Sequence, residues 1–219
     1  MNSIYAFVSG PLVWISFILF IGGSVYRFVS MARLARKKDI FVYEYTSLYY
    51  ALRSILHWIM PFGSANMKKH PWMTVVAFAF HLCLVIVPIF LFAHIVLVKE
   101  SWDVSWPYIS DGLADILTLI VIASCIFFLV RRLTVPEAKY LTSLSDYVIL
   151  AIVAAPFLTG FLTHHQWFGY KVMGILHILS GQVMLVAIPF TRLSHMIFFP
   201  FTRGYMGSEF GAIRHAHDW

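Results

Sequence analysis

Charge, cysteine and catalytic signatures are all scarce in this chain, and each scarcity excludes a class of protein. Only 12% of the 219 residues are charged while 60% are hydrophobic, which leaves too little polar surface to coat a soluble globule of this size. The cysteines number two, Cys83 and Cys125, with no CxxC pair and no His/Cys cluster. A disulfide framework, a zinc ribbon and an iron–sulfur centre within the chain are therefore unsupported, and the two thiols read as buried structural residues. No CxxCH is present for covalent haem, and no GxGxxG, GxxxxGK[ST] or GxSxG supports nucleotide or hydrolase chemistry.

What the chain has in abundance is apolar length. A hydrocarbon core of about 30 Å needs roughly 20 helical residues, and five segments qualify: about 5–26, 72–98, 112–130, 147–163 and 171–191, the last continuing toward His195. The first lacks a basic n-region and outruns the roughly 7–15 residue core of a signal peptide, so it is expected to be a retained span. The fold expected is an all-α integral membrane protein, a single domain over residues 1–219.

Cations set the expected orientation. The connection 27–70 carries Arg27, Arg33, Arg36, Lys37, Lys38, Arg53, Lys68 and Lys69; Arg131, Arg132 and Lys139 lie in a second connection, and Arg192, Arg203 and Arg214 at the end. Only Lys99 and Lys171 remain for the opposite side. The positive-inside rule then puts the N-terminus outside and the C-terminus, with a tail 196–219, in the cytoplasm. It also accounts for the net charge of +6 without nucleic acid as a partner. The middle of connection 27–70, FVYEYTSLYYALRSILHWIMPFG, is expected to form one or two short helices at the interface or under a partner, ended by Pro61 and Gly63.

Ionisable side chains are costly inside a bilayer and usually mark function. His81 and His94 fall on the second span, His177 and His195 on the fifth. His177 and His195 are 18 residues apart, five turns of an unbroken helix, so they share a face about 27 Å apart along its axis. The second span runs the opposite way, which pairs His94 with His177 on the outer side and His81 with His195 on the inner side. Two imidazoles facing each other from neighbouring helices suit a bis-histidine haem iron, and two such sites make an electron path across the membrane. Small residues beside the ligands, Gly174, Ser180 and Gly181, suit a porphyrin near the backbone. One difficulty lies on the second span, where 13 residues leave His81 and His94 roughly 140° apart on an ideal helix. A kink at Pro88 is expected to re-aim His94; otherwise His165 or His164 is the outer ligand.

These residues carry a resemblance. HILSGQVMLVAIPFTRLSH and FHLCLVIVPIFLFAH resemble the ligand-bearing spans of the gamma subunit of respiratory nitrate reductase, a five-span diheme cytochrome b. The opening YAFVSGPLVWISFILFIGGSVY, the run FLVRRLTVPEAKYLTSLSDYVILAIVAAPFLTG and the tail FPFTRGYMGSEFGA are similar to the cytochrome b subunits of the Tmc-type redox complexes of sulfate-reducing bacteria and their Dsr and Hme relatives. The resemblance implies two non-covalent haems b, a cytoplasmic iron–sulfur subunit similar to heterodisulfide reductase, a periplasmic multihaem cytochrome c, and menaquinone as a membrane-phase partner beside the lipid. A menaquinol or menaquinone oxidoreductase subunit, and a haem-free membrane anchor, are the rival readings.

Other residues near the ligands have plainer explanations. Arg131, Arg132 and Arg192 sit where haem propionates would meet cations, though most such residues are anchors. Trp102, Trp106 and Trp167, crowded at the outer face with Asp103 and Gln166, suit an aromatic belt, and His164, His165 and Lys99 are candidates for an outer quinone pocket. His57, His70, His215 and His217 read as surface or interface residues, and Met184 and Met196 as packing.

Overall fold

A computed structural model describes residues 2–219. In chain order its helices are α1 (Asn2–Ser9), α2 (Pro11–Lys38), α3 (Val42–Tyr45), α4 (Leu48–Ile59), α5 (Ala65–Lys69), α6 (Pro71–Phe90), α7 (Phe92–Trp102), α8 (Asp111–Thr134), α9 (Pro136–Leu141), α10 (Leu144–His164), α11 (Tyr170–Phe190) and α12 (His195–Ser208), with a 3₁₀ turn at Arg192–Ser194 and a π turn at Glu209–Ile213. No strand occurs among the described residues, only an isolated bridge between Leu91 and Ile109. Five helices are long and apolar enough to cross a membrane: Ser3–Lys38, Pro71–Phe90, Asp111–Thr134, Leu144–His164 and Tyr170–Phe190. Leu82, Ile116, Ile126 and Leu158 on them are exposed, as lipid-facing side chains are.

The expected spans need three corrections. The first continues past residue 26 to Lys38, because Arg27, Arg33 and Arg36 are good helix formers that end the apolar stretch without ending the helix. The second is not one helix over 72–98: it stops at Phe90 and restarts at Phe92, with Leu91 extended at φ −70°, ψ 126°. The fifth stops at Phe90's counterpart, Phe190; Thr191 is extended, and His195 opens a separate helix. The five-turn relation between His177 and His195 therefore does not hold.

The chain divides into two compact units, one built from residues up to Ser9 with Val75–Met184, the other from Gly10–Thr74 with Leu185–Trp219. In the first unit α8 packs on α10, and α8 buries Ala114, Thr118, Val121 and Cys125, a stripe at alternating spacings of four and three that suits close helix contact. Val153 and Phe157 on α10 are buried too. Phe80 of α6 meets Phe128 of α8 edge-on at 5.3 Å. Ser143 and Asp146 start α10 with a reciprocal capping box, and Arg132 reaches Asp146 at 3.8 Å and the Thr142 hydroxyl at 3.3 Å. Gln182 of α11 donates to the Val8 carbonyl at 2.7 Å, which gives this buried amide a partner in an apolar span.

In the second unit α4 lies against α12. Gly207 makes the contact possible: a Cβ there would meet the Ser54 Cβ at 2.5 Å and the Tyr50 carbonyl oxygen at 2.6 Å. The end of the chain folds back onto α4. Ser54 donates to the Asp218 carboxylate at 2.6 Å, Arg203 meets the same oxygen at 3.3 Å, and His57 stacks on Trp219 at 3.9 Å. Tyr45 donates to the Asp39 carboxylate; burial first, then this bond and the nearby Tyr205 hydroxyl, push its phenol well above the ordinary range. It stays a donor at physiological pH. The short helices α3, α4 and α5 occupy the connection 27–70, and α4 ends just before Pro61.

Candidate functional site

The helix break at Leu91 positions His94. Ending α6 at Phe90 leaves the carbonyls of Pro88, Ile89 and Phe90 without helical donors, and orphan carbonyls at a helix end need partners. Each has one: His94 Nδ1 lies 2.9 Å from the Pro88 oxygen, the Trp106 indole donates to Ile89 at 2.8 Å, and the Ile109 amide donates to Phe90 at 3.0 Å. The returning segment around Trp106 and Ile109 thus holds the break open. The expected kink at Pro88 is replaced by a full interruption three residues later.

This arrangement brings His94 and His177 together. Their ring centres are 6.0 Å apart and their planes differ by 14°. Their centres are farther apart than those of His57 and Trp219, which stack at 3.9 Å. His177 is held from a neighbouring helix: its Nδ1 lies 2.9 Å from the Pro156 oxygen on α10. Gly160, one turn further on, lets the ring lie there, because a Cβ at that position would come within 2.9 Å of Cε1 and 3.0 Å of Nδ1. The same two helices are joined by the Thr159 and Ser180 hydroxyls at 3.1 Å.

His81 and His195 belong to different units. His81 Nδ1 lies 2.7 Å from the Ala77 oxygen within unbroken α6, and His195 Nδ1 lies 2.7 Å from the Arg192 oxygen at the start of α12. All four histidines therefore share one local feature, an Nδ1 donating to a backbone carbonyl. That bond fixes the tautomer with the lone pair on Nε2, the form that binds metals, and orients the ring.

The other expected site residues are more scattered. Arg131 ends α8 half-buried, and Arg192 opens the 3₁₀ turn on an exposed surface. Lys99 pairs with Asp103 at 2.5 Å, both side chains largely exposed. His165, the alternative outer ligand, lies instead against Asp115, with Nε2 to Oδ2 at 3.1 Å. Asp115, His164 and His165 present ligand atoms all within 4.8 Å of one another. Asp115 was overlooked in the sequence, although a lone acid one turn inside an apolar span is the signal that marks it.

A chain of Nitratidesulfovibrio vulgaris strain Hildenborough, named only "Protein", is 36% identical over 218 residues, covering 96% of this chain and 95% of its own length. The two chains belong to one family. Coverage this complete means the relative matches across all five candidate spans and the segments between them. No protein-family model matches the chain, and no solved structure matches it.

Proposed function

We propose that this chain is a diheme b-type cytochrome, an electron-carrying subunit of a redox complex in the cytoplasmic membrane. The observation that carries the reading is the His94/His177 pair. Two metal–imidazole bonds of about 2 Å, with the half-width of each ring, span about 6 Å between ring centres, and the rings stand at 6.0 Å with nearly parallel planes. Their Nδ1 atoms are both occupied by carbonyls, so Nε2 is the nitrogen offered to iron. Imidazoles offering Nε2 are donors that haem iron takes, and the ring spacing supports the reading.

His94 and His177 would hold one haem. His81 and His195 are proposed for the second from the sequence alone. Haem b, when bound, supplies one-electron iron chemistry at a potential set by its axial ligands and surroundings. The chain's own part is to fix ring orientation through those carbonyls and to keep the ligands among apolar helices. Fourteen of sixteen Lys and Arg on one side favour an outside N-terminus and a cytoplasmic C-terminus. With no cluster-binding cysteines in the chain, the expected iron–sulfur and multihaem cytochrome c centres belong to partner subunits, and menaquinone is the proposed exchange partner in the membrane.

The test is haem quantitation by pyridine haemochrome on the purified full chain. Two protohaems per chain are expected. One would remove one of the two pairs, and none would leave a haem-free anchor.

A further inference from the structure

The proposed haem ligands leave a second group of donors unused. Asp115 sits one turn into α8, and His164 and His165 close α10. One oxygen and two nitrogens from these residues lie within 4.8 Å of one another, and the closest pair, His165 Nε2 and Asp115 Oδ2, is at 3.1 Å. Ligands around a tetrahedral zinc ion, with bonds of about 2.0–2.1 Å, stand about 3.3 Å apart. Two donors already have that spacing. The third, His164, is exposed at the helix end and closes the remainder by side-chain rotation.

One of the donors, His165, is also held in place. The His165 ring lies 4.4 Å from the Phe161 ring and 5.8 Å from that of Trp167, centre to centre. Immediately beyond, Gln166 at φ 58° and Phe168 at φ 60° occupy the left-handed region without being glycine, and the Trp167 amide returns to the Leu162 carbonyl at 2.9 Å. Two imidazoles with one carboxylate form a borderline donor set, suited to zinc and neighbouring transition metals; magnesium and calcium demand mostly oxygen.

We propose that Asp115, His164 and His165 bind one divalent transition-metal ion of the zinc class, with a coordination position left for water. The ion joins the N-terminal part of α8 to the C-terminal end of α10, two helices already packed together. It therefore stabilises the first unit, by an amount that grows with the logarithm of free metal above its Kd. In the proposed orientation this end faces outside, so the metal arrives from that compartment. The site is independent of the haem reading.

The test uses the full chain in detergent, treated with chelator and then titrated with Zn²⁺ by calorimetry and with Co²⁺ by its ligand-field absorption. The expected result is saturable uptake of one equivalent, with a rise in Tm. Asp115→Asn and His165→Ala should each weaken uptake by at least about tenfold, and the tail variant His215→Ala/His217→Ala should leave it unchanged. If Asp115→Asn does not fold, the exposed His164→Ala carries the test. No saturable uptake, or uptake lost in the tail variant and kept in the other three, would overturn the proposal. Haem content is read separately in every variant, so failure of the haem reading and failure of the metal site give different results.

Discussion

Two of the long apolar helices end in an interruption, and the two interruptions are built from the same parts in different ways. In one, Pro88 is followed by an extended Leu91 and then by His94; in the other, Pro189 is followed by an extended Thr191 and then by His195. Both histidines stand six residues after the proline, and both return Nδ1 to a nearby carbonyl, Pro88 and Arg192 respectively. The carbonyls released by the breaks are capped differently. Trp106 and Ile109 from the following segment serve the first. At the second, Arg27 from α2 donates to Pro189 at 2.9 Å, and Thr191 caps both the Ala187 carbonyl at 2.8 Å and the Leu193 amide at 3.2 Å. A proline can begin such an interruption, but the partners that satisfy the freed backbone decide where the chain turns.

The comparison is broken most severely by removing Arg27. Pro189 is fully buried, so Arg27→Met leaves its carbonyl without a charged donor and should cost about 1.5–3 kcal/mol. Thermal unfolding in detergent measures it, and hydrogen exchange should loosen around 187–195 while 88–95 stays protected. Gly160→Ala tests the holding of His177 by a neighbour instead of a break. Crowding of about 1–3 kcal/mol should push the imidazole from Pro156, lowering haem occupancy and shifting a haem potential in a redox titration. Trp106→Phe removes one donor from the first break while keeping an aromatic ring there; a loss of about 1 kcal/mol is expected, with faster exchange confined to 88–95. Lys99→Ala, at an exposed ion pair, should change stability by no more than about 0.5 kcal/mol.

Hydropathy alone located all five long helices, because lipid-facing helices carry their signal residue by residue. The breaks were invisible for a physical reason. Leu91 is a good helix former in isolation, and Thr191 is only a mild helix breaker; what stops the helices is Trp106, Ile109 and Arg27, contributed from elsewhere in the chain. The closeness of His94 and His177 was legible from depth along antiparallel spans, although the expected means of re-aiming His94 was a bend at Pro88. The spacing argument for His177 and His195 assumed an unbroken helix and misread the fifth span. The Asp115 cluster escaped because its members come from the start of one span and the end of another, with no common sequence motif.

The central claim is that the break at Leu91 makes His94, and not His165, the partner of His177 at one haem. Haem stoichiometry with reduced-minus-oxidised spectra of His94→Ala and His165→Ala, purified side by side, tests it most directly. The account predicts one haem per chain for His94→Ala and two for His165→Ala. Two haems retained in His94→Ala with one lost in His165→Ala would contradict it.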